Sequence, residues 1–598
     1  MRLTGGEIIV NYLIKEGVPY VAGIPGHGCL ALVDAFRGKE KKIKIIQVRH
    51  EQAAVHLADG YYRASGKPLA VFTSIGPGAM NTAIGIATCF VDSIPVLVFT
   101  GQTHTHMFGK GVLQEIERTH DANSARVFEP IVKRWWQPVS PAQLPTIMQR
   151  AFNYMMSGRR GPVLVDLPMD VQAGSCDVKL PEPLKHRPSG RFIGDPALVK
   201  KAANLLANAR RPVILAGGGV NASRSFSELK TLAETLNAAV ITTMAGKSCF
   251  PEDHYLYGWH AGSKGTTCGN KLCSSADVIL ALGCRFADET TSSYRKGVSF
   301  SIPPTKLIQV DIDPVEIGKN YPVEAGIVGD AGEVLRQILS ELRGKKIREK
   351  KTYVKEIRRL KEEWFESIKS LRESDKVPVT ISRFLKELRD CLPRDAYVVV
   401  SSGNAQAQIM QEFPFYEPGT LITTGGFSTM GFVVPAALGV KLAKPQKKVI
   451  GVVGDGDFTM TMQELATAVQ YNIPVVYAIL NNFAWQAITD LQIAVYGKES
   501  AIATRFYRDG EKTLYSPDFF SIAKGFGCYA EKISKPEEVQ PAIKRAFASG
   551  RPAVIEVIVY REFPYSGSPA VGWWDVPVPA YMKKKRQKYE QEKKGEVL

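Results

Sequence analysis

Short apolar runs separated by helical periods recur along the whole chain. Up to about residue 180 the runs are PYVAGI (19–24), IKIIQV (43–48), PLAVFTS (68–74), PVLVFTG (95–101) and PVLVDL (162–167). Helical patterns such as EQAAVHLADGYYRAS (51–65) lie between them. The runs are continuously apolar and do not alternate with polar residues, the pattern of strands buried on both faces of a parallel sheet. A second set follows between about 190 and 345: PVILAGG (212–218), AAVITT (238–243), DVILALG (277–283) and KLIQVDI (306–312). A third begins near Val377: AYVVVSS (396–402), KKVIGVVGD (447–455), PVVYAILNN (474–482) and PAVIEVIV (552–559). This repetition predicts an α/β chain of three doubly wound parallel-sheet domains. The expected domains are 1–180, 190–345 and 377–598. A proline-spaced segment (181–188) and a charged stretch (346–376) are expected to connect them. The start, MRLTGGEIIVNYLIKEGV, reads as an amphipathic helix and not as a signal peptide.

A chain of 598 residues has room for these three cores. Its 76 Lys and Arg against 59 Asp and Glu leave a net charge of +17. That excess is concentrated in 343–372 and 583–586. No nucleic-acid module accompanies it, so solvated surfaces are expected and no specific nucleic-acid partner. The nine cysteines include no CxxC pair, which excludes a disulfide framework or zinc knuckle and suits a reducing, cytoplasmic location. No run of about 18 uncharged apolar residues is present, so no membrane span is expected.

The stretch GDGDFTMTMQELATAVQYNIPVVYAILNN (454–482) carries the clearest chemistry. A buried strand ends in Gly454-Asp455-Gly456, where open α/β sheets bind ligands. A helix is expected over MTMQELATAVQ (460–470), its first N–H groups offering an anion site. The next strand should be the neighbour of the first, which would bring Asn482 beside Asp455. Two protein oxygens at that edge suit Mg²⁺, the remaining ligands being phosphate oxygens and water.

The joint pattern, with 27 residues from Asp455 to Asn482, resembles the signature of thiamine-diphosphate enzymes. The resemblance implies Asp455, Asn482 and Ala484 as metal ligands, and Gly454, Gly456 and Asp457 as cofactor-binding residues. TTGGFSTMGFVVPAALGVKLA (423–443) resembles the segment in which an apolar side chain bends the cofactor into a V; Met430 matches that position. RHEQAAVHLADGYYRASGKP (49–68) is similar to the helix of the catalytic glutamate, here Glu51. A carboxyl at the pyrimidine nitrogen N1′ favours the imino tautomer, whose 4′-nitrogen takes the C2 proton. TSIGPGAMNTAIGIA (73–87) places Gly78 and Asn81 near the pyrimidine, and GKGVLQE (109–115) matches a loop with an active-site glutamine, Gln114.

The resemblance covers nearly the whole chain and is closest to the acetolactate (acetohydroxyacid) synthase large-subunit group, of pyruvate oxidase-like architecture. It implies a homo-oligomer, dimer or tetramer, in which Glu51 and Asp455 of different chains share a site. LAGGGVNAS (215–223) and ALGCRFADETT (281–291) match the middle domain that carries FAD in that group, and FAD stays open here. Several positions depart from the group. Met169 stands for Lys, Glu289 for a second Arg and Leu491 for Trp; Trp485 is a bulky newcomer, and GNAQAQIM (403–410) matches loosely. His27, in GIPGHGCL (23–30), replaces a glycine near the reactive carbon. It resembles the histidine of cyclohexane-1,2-dione hydrolase, and a histidine can move protons near neutrality. His104, His106 and His120 lie around the Gln114 loop without metal-ligand spacing. GWWDVPVPAYM (572–582) suits a lid or an oligomer interface.

The expected activity is decarboxylation of a 2-oxo acid, pyruvate, and transfer of the two-carbon unit to a second carbonyl, giving acetolactate. The alternatives are C–C cleavage of a 1,2-dione with His27 moving protons, and a catalytically silent paralogue, against which the presence of Glu51 counts.

Overall fold

The structure, a computed structural model, describes residues 1–116, 124–561 and 576–594. The first domain contributes β1 (Arg2–Thr4), β2 (Tyr20–Gly23), β3 (Lys44–Gln47), β4 (Ala70–Phe72), β5 (Leu97–Gln102), β6 (Arg134–Trp136), β7 (Val163–Pro168) and β8 (Ser175–Asp177). The second contributes β9 (Pro212–Ala216), β10 (Ala239–Thr242), β11 (Tyr257–His260), β12 (Val278–Leu282), β13 (Lys306–Asp311) and β14 (Ala325–Val328). The third contributes β15 (Tyr397–Val400), β16 (Leu421–Thr423), β17 (Val449–Gly454), β18 (Val476–Asn481), β19 (Tyr529–Ile533) and β20 (Ala553–Ile558). They form three six-stranded sheets, ordered β3-β2-β4-β5-β7-β6, β11-β10-β9-β12-β13-β14 and β16-β15-β17-β18-β20-β19. Every pair within these sheets is parallel. β1 and β8 make a separate antiparallel ribbon.

The expected strands are present, and the sheet strands that the apolar runs did not announce are β6, β11, β14, β16 and β19. All five are sheet edges. An edge strand is short or partly solvated, so sequences such as RWW or YAEKI never build a continuous apolar run. The amphipathic start also splits. Residues 2–4 pair with β8, and helix α1 (Gly5–Lys15) begins after Thr4. Thr4 and Glu7 close a capping box: Glu7 N–H donates to Thr4 Oγ1 at 3.2 Å and Thr4 N–H to Glu7 Oε2 at 2.8 Å.

The helices that position the site are α2 (Glu51–Ser65) and α3 (Ala83–Asp92) in the first domain, then α4 (Lys351–Ser367) between domains. The third domain adds α5 (Gly403–Glu412), α6 (Val433–Ala443), α7 (Asp455–Thr459), α8 (Leu465–Gln470), α9 (Gln486–Tyr496) and α10 (Lys583–Lys593). The first and third domains share one apolar core. Its seam is α2 against α6, at backbone contact. A Cβ on Gly60 would lie 2.2 Å from Ala436 O, and one on Gly439 2.0 Å from Leu57 O, so only glycine permits this approach.

The charged stretch 346–376 packs against the domains it joins. Tyr353, Ile357, Leu360 and Trp364 make one buried stripe on α4 and join the second domain's core. Tyr353 Oη donates to Pro212 O at 3.2 Å, and Trp364 Nε1 to Gln411 O at 3.0 Å. The basic tail is helix α10, docked on α9: Lys585 Nζ donates to Val495 O at 3.0 Å and Arg586 Nη1 to Val578 O at 2.8 Å. Of the 572–582 segment, 572–575 lie outside the described residues, while Val578 is buried with Val495 and Tyr589. Among the described residues no helix is long and apolar enough to cross a membrane.

Candidate active site

β17 and β18 run side by side, with Gly454 opposite Leu480. Asp455 follows β17 directly and Asn482 follows β18. Both are buried, at 3% and 7% exposure, and Asp455 Oδ2 and Asn482 Oδ1 have no hydrogen-bond partner. The two asparagines divide the work. Asn481 is spent on the fold: its Nδ2 donates to Ser516 Oγ at 3.0 Å and Glu556 Oε1 at 2.9 Å, and its Oδ1 accepts from Phe483 N–H at 3.2 Å. Asn482 keeps its oxygen free. Burial pushes the Asp455 carboxyl up to about 7, against the backbone N–H groups of Gly456, Phe483 and Ala484, which favour the charged form. Ala484 thus meets Asp455 through its N–H. Unpaired buried oxygens cost free energy unless a partner arrives, and two at adjacent strand ends match a hard divalent cation.

The continuous helix expected over 460–470 is not formed. The chain turns through α7, which begins at Asp455 itself, then a 3₁₀ turn at Met462–Glu464, then α8. Threonines cause the break: Thr459 Oγ1 donates to Gly456 O at 2.6 Å, and Thr461 Oγ1 to Gly431 O at 3.0 Å. Glu464 then points into the first domain, accepting from Arg49 N–H at 3.0 Å and Thr467 Oγ1 at 2.7 Å. Burial pushes its carboxyl up to about 7. Gly456 must be glycine, because a Cβ there would sit 2.1 Å from the Trp485 ring, whereas Gly454 faces open space. Asp457 faces inward: Oδ1 accepts from Gly431 N–H at 2.6 Å and Oδ2 from Ser401 Oγ.

On the first domain, Glu51 opens α2 and is 8% exposed. Its Oε2 accepts from Asn81 Nδ2 at 2.9 Å, and a Cβ on Gly78 would lie 3.0 Å from Oε1. Gly76, at φ 58°, is pressed under Gln114, whose own φ is 70°; a Cβ there would be 1.8 Å from Gln114 O. Glu51, the Gly78–Asn81 turn and the Gln114 loop therefore come together from three separate stretches. His27 begins the turn after β2 and is exposed, with the neighbouring Gly28 N–H donating to Ser74 Oγ at 3.2 Å. His104 and His106 stand with ring centroids 5.3 Å apart, and His120 lies outside the described residues. Among the described residues no three metal-ligating side chains of His, Cys, Asp or Glu cluster. Met430 is 37% exposed at the end of the loop leading into α6.

Two segments that depart from the synthase pattern meet at this edge. Asn404 Nδ2 donates to Asp490 Oδ2 at 2.9 Å, and Gln486 Nε2 to Asp490 Oδ1 at 2.6 Å. Gln486 Oε1 is buried without a partner. The individual departures were visible in the sequence; their contact depends on β15 and β18 flanking β17.

A cavity of about 920 Å³ opens beside the C-terminal ends of β9, β12 and β13 and extends to the loop before Met430. Gly217 and Gly219 bring one strand-end loop against another, since a Cβ on Gly217 would lie 2.2 Å from Gly283 O. Gly218, Arg285 and Glu289 line the space. Glu289 is paired with His260, Oε1 to Nε2 at 3.6 Å.

Three family models match the chain: the N-terminal TPP binding domain of thiamine pyrophosphate enzymes over residues 3–123, their central domain over 199–338, and their C-terminal TPP binding domain over 401–557. A probable acetolactate synthase large subunit of Methanocaldococcus jannaschii is 39% identical across 93% of this chain and 92% of its own. The acetolactate synthase large subunit of Corynebacterium glutamicum is 35% identical, across 93% and 87%. The Escherichia coli acetolactate synthase isozyme 3 large subunit is 34% identical, across 92% and 93%. With three matching domains and whole-length relatives, this chain belongs to the thiamine pyrophosphate enzyme family, alongside the acetolactate synthase large subunits.

Proposed function

We propose that the chain is a thiamine-diphosphate- and Mg²⁺-dependent carboligase that decarboxylates pyruvate and adds the two-carbon unit to a second carbonyl, giving acetolactate when that carbonyl is another pyruvate. The observation that carries this reading is the pair of buried, unpartnered oxygens on Asp455 and Asn482 at adjoining strand ends. They fit a cation that bridges to a diphosphate. Bound thiamine diphosphate supplies the nucleophilic carbon and electron sink for decarboxylation and C–C bond formation. Glu51 would hold the pyrimidine nitrogen, with Asn81 fixing the carboxyl and Gly78, lacking a side chain, leaving it room. Gly454 leaves room for the diphosphate, Gly456 lets Trp485 lie close, and Asp457 holds the Met430 loop. Gln114 and His27 line the approach to the reacting carbon from the first domain.

The exposed Met430, His27 and Gln114 support a homo-oligomer, dimer or tetramer, in which the first domain of one chain completes the site of another. The 920 Å³ cavity beside parallel strand ends supports FAD in the middle domain, with Arg285 available to its diphosphate. The nine unpaired cysteines support a reducing, cytoplasmic location.

A second reading, cleavage of a 1,2-dione, is favoured by His27 and by the polar Asn404–Asp490–Gln486 group. Product analysis separates the two. Protein supplied with Mg²⁺, thiamine diphosphate and pyruvate should release CO₂ and form acetolactate, and an absorbance scan beforehand should show flavin. A protein that holds thiamine diphosphate, ignores pyruvate and cleaves cyclohexane-1,2-dione would establish the second reading.

A further inference from the structure

The loop that carries Met430 runs from the end of β16 to the start of α6, residues 424–432. It has no regular structure and turns through left-handed backbone at Ser428 (φ 52°) and Gly431 (φ 76°). Its position is therefore set from outside. The outer half is held by the first domain. Asp92, the last residue of α3, accepts from two consecutive N–H groups of the loop: Gly425 to Oδ2 at 2.7 Å and Gly426 to Oδ1 at 2.8 Å. Thr88, one turn earlier on α3, shares a 2.7 Å hydroxyl–hydroxyl bond with Thr429. The inner end is held by the third domain, through Asp457 and the Gly431 N–H.

Asp92 is itself oriented. Arg63 Nη2 donates to its Oδ2 at 2.8 Å, and Arg63 Nε donates to Asp59 on α2. The Asp92 side chain is 4% exposed and that of Asp59 is fully buried. Buried charges persist only when paired and hydrogen-bonded, and here one oxygen of Asp92 takes a loop N–H while the other takes a loop N–H and the guanidinium. Arg63 and Asp59 alone would neutralise each other and join α2 to its surroundings. Asp92 adds a two-point grip that fixes the height and tilt of the loop. Met430 follows four residues after that grip.

We propose that Asp92, oriented by Arg63, is a positioning residue that sets the height of Met430 under thiamine diphosphate. The proposal rests on the functional reading above, in which Met430 packs against the cofactor. Asp92 touches no reacting atom; it acts through the Gly425-Gly426 backbone. The same α2 that presents Glu51 at its first residue anchors this grip at Asp59 and Arg63, two to three turns later. In the proposed oligomer one helix thus presents the acid to one site and supports the wedge of another.

The test uses the assembled protein with Mg²⁺ and thiamine diphosphate and no 2-oxo acid. Three quantities are read for wild type and Asp92→Asn: the hydrogen–deuterium exchange rate at C2 of the bound cofactor, by quenched proton NMR; the Kd for thiamine diphosphate; and the Tm. The amide keeps the side chain's shape and loses one acceptor and the ion pair. Exchange is expected to fall at least tenfold while the Kd changes less than about threefold, because height under the ring governs proton transfer more than diphosphate binding. Thr88→Val should produce a smaller fall of the same kind, and it serves if Asp92→Asn does not fold. Unchanged exchange in both variants, or a fall that merely tracks lost occupancy, would overturn the proposal. Wild-type protein that binds no thiamine diphosphate would overturn the functional reading together with this one, whereas normal wild-type exchange with unchanged variants overturns this one alone.

Discussion

The first and third domains build the same six-stranded parallel sheet and use its C-terminal edge in opposite ways. On the first domain the key carboxyl is partnered: Glu51 Oε2 accepts from Asn81, and Gly78 leaves room beside Oε1. On the third domain the key carboxyl is unsatisfied: Asp455 keeps a bare oxygen beside the bare oxygen of Asn482. A partnered carboxyl is aimed by its donor. An unsatisfied buried one is unstable until a cation arrives. On the proposed function, the contrast separates a group that would steer a proton from a group that would bind a charge.

The largest expected effect comes from removing the unsatisfied side. Asp455→Ala should weaken Mg²⁺-dependent thiamine diphosphate binding by at least 100-fold, measured by titration with and without the metal, because one of the two protein oxygens is lost. Retention of metal-dependent affinity would erase the contrast. Glu51→Gln should leave that affinity within a few fold and slow C2 proton exchange by roughly 10²–10⁴-fold, the range for a positioned acid–base group. Normal turnover in that variant would sink the role given to Glu51.

A third change probes the seam that brings the two edges into one body. Gly60→Ala places a Cβ 2.2 Å from Ala436 O and should destabilise the chain by about 1–3 kcal/mol through overpacking. A melting temperature equal to wild type would show that α2 and α6 can separate without cost.

The remaining prediction concerns pH. Burial pushes Glu464 from 4.5 up to about 7. A carboxyl raised in this way contributes stability that is fully present below the unfolded value and is lost as pH rises through about 7. The cofactor-free protein should therefore lose stability between roughly pH 4.5 and 7, by on the order of 3 kcal/mol from this group. Melts at pH 5 and pH 8 should show a smaller difference in Glu464→Gln than in wild type. An equal difference in the two proteins would remove Glu464 as the source.

Much of this molecule was legible in its sequence, for a physical reason. Interior parallel strands must be apolar on both faces, so β9, β12, β17 and β18 announce themselves. The edge strands do not: β6, β14 and β19 are partly solvated, and β11 and β16, though buried, are only four and three residues long. The placing of Asp455 beside Asn482 was legible because two neighbouring strand ends and one spacing define it. The split of the helix after Asp455 was not, since it depends on Thr461 reaching Gly431, 30 residues earlier. Nor was the grip of Asp92 on Gly425, a contact across 333 residues that no local pattern encodes. The segments 403–410 and 485–491 lie between these cases. Leu491, Trp485 and the 403–410 stretch marked them as unusual, and the Asn404–Asp490 contact shows that they meet.

Calorimetric titration of thiamine diphosphate into wild-type and Asp455→Asn protein, each with and without Mg²⁺, tests the cation site most directly. The account predicts tight binding only for wild type with Mg²⁺, and weak binding in the other three mixtures. Equal affinity in all four would mean that the two bare oxygens at the ends of β17 and β18 hold no metal, and the proposed site would have to lie elsewhere.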